Sequence, residues 1–195
     1  KMPGISRPVN IWRRVSLYAV LLFVLAVVQV YPGQWLWLPA PDFLLLLPLV
    51  IGLTRGGREA FSMGLIAGFL RDYLSGRLYG LGMLEGMLIG LLAAMFFSEN
   101  TKIFWRRLLL LCLGVTLAHV LVMSFLSYLF PFSSDLPLSL AKILMEALAG
   151  LPLVLLVNLF ASVLILLFLW LGFYQKKKKQ KKTGVESYGG YGRAL

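Results

Sequence analysis

The sequence predicts an all-α fold, a polytopic membrane protein of six transmembrane helices. Three observations carry that reading: the hydropathy, the recurrence of apolar runs, and the placement of basic residues between them. Of 195 residues, 59% are hydrophobic and 14% charged, and the mean hydropathy is +0.84. A soluble domain of this size cannot hide so much apolar surface, because much of any small globule stays exposed. The net charge of +11 suits either nucleic acid or an anionic membrane surface. Position decides between them. Lys and Arg stand at the ends of apolar runs, and no aromatic-studded basic domain exists to hold a nucleic acid. The single cysteine, Cys112, lies inside an apolar run, which rules out a disulfide framework and a cysteine-rich metal site. No cofactor is implied.

Crossing the ~30 Å hydrocarbon core takes about 20 apolar residues. The first run, Val15 to Tyr31, follows Arg13 and Arg14 and meets that length. No small-residue cleavage site closes it, so it is expected to remain as an anchor. Tyr31, Trp35 and Trp37 then supply an aromatic belt at the far interface. Phe43 to Leu53 is a short second span between Asp42 and Arg55. The third, Glu59 to Leu70, is glycine-rich and ends at Arg71 and Asp72. Tyr79 to Phe97 and Leu108 to Phe130 form the fourth and fifth. The last apolar stretch, Leu136 to Tyr174, is too long for one span. Gly150 and Pro152 are expected to divide it into an amphipathic piece, Leu138 to Ala149, and a sixth span, Leu153 to Phe173.

Basic residues orient these spans. With the N terminus inside, the inner segments 1–14, 54–58, 98–107 and 174–195 hold sixteen of the nineteen Lys and Arg residues. Arg71, Arg77 and Lys142 are the three outside. This is the bias that the positive-inside rule requires. The chain therefore divides into a cytoplasmic segment 1–14, a six-helix domain 15–173 and a basic tail 174–195, in the inner membrane with both termini cytoplasmic. The Lys-rich stretch 176–182 is expected to attract anionic lipids, at ~1 kcal/mol per charge. Beyond it, 184–195 is polar, glycine-rich and expected to be disordered.

The candidate sites lie between residues 52 and 90, where glycines recur at spacings of four. Gly64 and Gly68 share one helix face, and Gly82, Gly86 and Gly90 share another. Glycine lets a neighbouring helix approach closely and gain dispersion contacts, the main drive to association in lipid. The neighbour is either another helix of the same chain or a partner protein. A charged clamp is expected nearby. Arg71, Asp72, Arg77 and Glu85 gather at the outer junction of the third and fourth spans, where charges are costly unless paired or functional. Asp72 is expected to pair with Arg71 or Arg77, and Glu85 with an arginine. His119 and Asn158 are expected to make hydrogen bonds to neighbouring helices. No nucleophile–base pattern, phosphate loop or metalloprotease helix is present, so the chain is expected not to be an enzyme.

The run Gly64-Leu-Ile-Ala-Gly68-Phe-Leu-Arg-Asp72, followed by Leu74-Ser-Gly76, Leu78-Tyr-Gly80 and Leu84-Glu-Gly86, resembles the MreD family of bacterial rod-shape-determining membrane proteins. The motif covers residues 50–97, and the length and helix count match throughout. The resemblance implies a non-catalytic scaffold of the cell-elongation machinery that directs lateral peptidoglycan synthesis. It implies MreC as the leading partner, with MreB, RodA and a class B penicillin-binding transpeptidase as further ones. It also implies a fold similar to the substrate-binding subunits of energy-coupling-factor vitamin transporters. Such a subunit is the alternative reading, but its first helix would carry alanines at a spacing of four. Here Ala19 and Ala26 are seven apart.

Overall fold

The computed structural model describes residues 11–30, 39–76, 80–97, 100–130 and 139–173, which form six helices and, among these residues, no strand. They are α1 (Ile11–Val30), α2 (Phe43–Arg55), α3 (Gly57–Ser75), α4 (Leu81–Met95), α5 (Thr101–Leu129) and α6 (Leu140–Phe173). Three of them, α1, α5 and α6, are long and apolar enough to cross a membrane. The aromatic belt, Arg77 and the Lys-rich tail lie outside the described residues.

The centre of the fold is α2. Twelve of its thirteen residues are buried, from Phe43 to Thr54, because the run has no polar face to offer. Asp42 starts the helix, its side chain accepting the Leu45 N–H, which satisfies one of the orphan donors of the first turn. Pro48 sits inside. Around α2 pack α3 and α4, which also make the closest pairing of the molecule with one another, while α5 and α6 pair together.

Polar side chains gather at two levels. At one end, Arg14 pairs with Glu59 at 2.8 Å, the Tyr18 hydroxyl donates to Glu59, and Arg13 donates to the Gly172 carbonyl. Arg55 lies 3.7 Å above the Phe173 ring, a cation–π contact. Arg107 donates to the carbonyls of Phe96 and Phe97. This end thus joins the starts of α1, α3 and α5 to the ends of α2, α4 and α6, as strictly alternating helices require. The second level, about 22 Å along α1 by its helical rise, holds Gln29, Asp42, Arg71, Glu85, His119 and Asn158.

The division of the last apolar stretch is corrected. α6 is one 34-residue helix that continues through Gly150 and Pro152. Proline removes a single N–H donor, whereas ending a helix strands up to four backbone groups on each side of the break. In an apolar medium the continuous helix is the less costly choice. α3 likewise runs past Arg71 and Asp72 to Ser75, and α5 begins seven residues before the expected Leu108, where Asn100 caps it by accepting the Lys102 N–H.

Candidate functional site: a buried charge network beside a glycine seam

Arg71, near the end of α3, is the hub of the second polar level. Its side chain is 10% exposed. One Nη donates to Glu85 Oε2 at 2.8 Å, and the other reaches Asp42 Oδ2 at 2.7 Å and His119 Nε2 at 2.8 Å. Guanidinium has donors and no acceptor, so Nε2 accepts and Nδ1 carries the proton given to Glu85 Oε1 at 2.8 Å. Arg71, Glu85 and His119 thereby close a ring that ties α3, α4 and α5 together. The planar fork of arginine suits this divided duty.

Gln29 extends the network to α1, donating to Asp42 Oδ1 and accepting from the Phe43 N–H. Asn158 extends it to α6. Its amide oxygen accepts the Asp42 N–H, and its nitrogen donates to the Thr116 hydroxyl on α5. All six helices therefore have a side chain at this level. Next to it opens a cavity of about 420 Å³, lined by Gln29, Asp42, Arg71, Asp72, His119 and apolar residues of α3 to α5.

Asp72 does not join Arg71, which corrects the first of the two pairings expected for it. Its carboxylate accepts the backbone N–H groups of Gly80 (2.8 Å) and Gly82 (2.8 Å), and so caps the start of α4. Gly76 and Gly80, at φ 60° and 98°, supply the left-handed turns that bring the chain back under this carboxylate. Arg77, the other expected partner, lies outside the described residues. Asp42 and His119 were the members of the network that the sequence did not offer as Arg71 partners. One signal points to Asp42: it stands immediately before an apolar run, a position suited to a helix cap.

The glycine faces meet each other. A Cβ at Gly64 would run into the Gly86 carbonyl, and one at Gly68 into the Gly82 carbonyl. At Gly90 it would lie 2.6 Å from the Ala60 carbonyl oxygen, and at Gly52 2.7 Å from that of Gly90. Gly64, Gly68, Gly82, Gly86 and Gly90 therefore form one seam between α3 and α4, with α2 closing on it at Gly52. Of the two neighbours that the spacing leaves open, the chain's own backbone occupies this face.

The family model for the rod shape-determining protein MreD matches residues 8–175. The chain belongs to the MreD family. No curated protein and no solved structure matches it, so the likeness to vitamin-transporter subunits gains no support from structure. The match runs through all six helices of this MreD-family chain, and the seam and the charge network both fall inside it. Membership makes the chain a shape-determining membrane protein.

Proposed function

We propose that the chain is a non-catalytic scaffold of the cell-elongation complex in the bacterial inner membrane, supporting lateral peptidoglycan synthesis by holding partners together. The observation that carries this reading is the family match across residues 8–175. The geometry supports it: the charged groups that lie deep among the helices, Arg71, Asp42 and Glu85, tie helices to one another. A body braced in this way suits a fixed platform. Six spans with both termini cytoplasmic are supported by the basic residues of the first polar level and by the alternation of helix ends there. The single membrane helix of MreC is the leading partner, with MreB, RodA and a class B transpeptidase as further members. Because the glycine seam is internal, such a partner docks on lipid-facing side chains. Copurification from native membranes tests the proposal. MreC is expected with the bait, and cells depleted of the protein are expected to round up. Recovery of an ATPase transport module with a bound vitamin in its place would overturn it.

A further inference from the structure

Consecutive helices usually pack together, yet α4 and α5 make no close pairing along their length. Between them lies an apolar groove of about 400 Å³, floored by Leu49 of α2. Its α4 wall presents Leu88 and Leu92, each about half exposed. Its α5 wall presents Leu111, Gly114 and Ala118. Nothing stands within 4 Å of where a Gly114 Cβ would be.

Two polar clasps bound the groove. At one end His119 donates to Glu85 at 2.8 Å. At the other, Arg107 donates to Phe96 and Phe97 carbonyls at 2.8 and 3.0 Å. Twelve residues of α5 separate the clasps, about 18 Å of helix, close to one leaflet of a ~30 Å hydrocarbon core. The end at Arg107 is basic. Arg107 lies four residues before Leu111 and so on the same side of α5, while Lys102 and Arg106, on other faces of its first turns, add positive charge to that end. No carboxylate among the described residues pairs with any of the three.

We propose that this groove binds an anionic phospholipid of the basic, cytoplasmic-side leaflet, its phosphate at Arg107 and one acyl chain lying between α4 and α5. Charge complementarity selects the headgroup. Length suits an acyl chain, because the ~18 Å between the clasps is close to one leaflet of the ~30 Å hydrocarbon core. The lipid completes a contact that the chain's own helices leave open, and it is distinct from lipid attracted by the tail.

The test is native mass spectrometry of the full-length purified protein with phosphatidylglycerol or phosphatidylcholine added. The wild type is expected to retain phosphatidylglycerol in preference. Gly114→Leu places a side chain in open groove space, so the fold is expected to persist while retention falls about tenfold, the loss of two buried methylenes. Ala118→Leu serves as a second block. Arg107→Gln is expected to weaken retention about fivefold, one surface charge. Equal retention of the two lipids, or unchanged retention in both blocked variants, would overturn the proposal. A photoreactive side chain at Leu88, irradiated in native membranes, gives the independent answer. A phospholipid adduct supports the site, and a protein adduct without one refutes it.

Discussion

The carboxylate of Asp72 receives the backbone N–H of Gly82 at 2.8 Å, so the last turn of α3 caps the first turn of α4. The same carboxylate takes the Gly80 N–H. One side chain thus satisfies two donors that would otherwise be orphaned in a dry environment. Asp72 is buried, and the cap also sets how closely the glycine seam can begin.

Asp72→Ala is expected to lower the stability of the folded protein by about 2–3 kcal/mol, from the lost cap and the unsatisfied donors. Asp72→Asn keeps one acceptor oxygen and is expected to cost less. Melting curves in detergent check both. Equal melting temperatures for wild type and Asp72→Ala would show that water or another group replaces the carboxylate.

The seam makes a sharper contrast. Gly64→Ala, Gly68→Ala and Gly86→Ala each drive a methyl into backbone atoms of the facing helix, which cannot turn aside as a side chain can. Overpacking of this kind costs about 1–3 kcal/mol, and these variants are expected to melt early or aggregate. Gly114→Ala and Gly150→Ala meet nothing within 4 Å and are expected to be neutral or slightly stabilising, since alanine favours helix over glycine by about 1 kcal/mol. Size-exclusion profiles of the five variants decide. Three monodisperse seam variants that fail to copurify with MreC would restore the partner-docking reading.

Much of this architecture was legible in the sequence, and what was not has a physical reason. Helix existence follows from apolar runs bounded by Asp42, Arg55 and Asn100, which cap or terminate through local chemistry. Pro152 does not end α6, because the local cost of a proline in a helix is smaller than that of an interrupted helix in an apolar medium. The glycine spacings marked the seam, but spacing cannot say whose backbone fills a face. The charge network was the least legible part. Arg71 meets Asp42, Glu85 and His119 across separations of 29, 14 and 48 residues. Choosing among carboxylates at that range requires knowing which helix ends share a level.

Arg71 is expected to be the most sensitive charged position. Arg71→Leu leaves Asp42 and Glu85, with side chains 18% and 16% exposed, without their cation. Breaking a buried pair on one side costs about 3–5 kcal/mol, and this substitution breaks two. Arg71→Lys is expected to fail as well, because one ammonium cannot span both carboxylates and the imidazole. His119→Gln, which keeps a donor and an acceptor, is expected to be mild. Folded yield and thermal melting of the three variants test this order. Near-wild-type behaviour of Arg71→Lys would mean that charge alone, without the fork, holds the network.

Topology provides the last test. Under the positive-inside rule, the starts of α1, α3 and α5, which carry the basic residues of the first polar level, are expected in the cytoplasm. Yet α2 and α4 have only 13 and 15 helical residues, short of the about 20 that span a bilayer. They cross only if the segments flanking them, or local thinning of the bilayer, complete the distance. Single cysteines in a Cys112→Ala background distinguish the cases. Cys112 is buried beside Ser162, and alanine fills most of its volume, so the background is expected to fold. Trp37→Cys, Ser75→Cys and Ser133→Cys are expected to label with a membrane-impermeant maleimide from the periplasm, and Gly56→Cys and Thr101→Cys only after permeabilisation. Protection of Ser75→Cys alongside labelling of Trp37→Cys would mean that α2 and α3 do not cross as a pair. The Arg71 network would then lie away from the outer interface, and the six-span reading would fall.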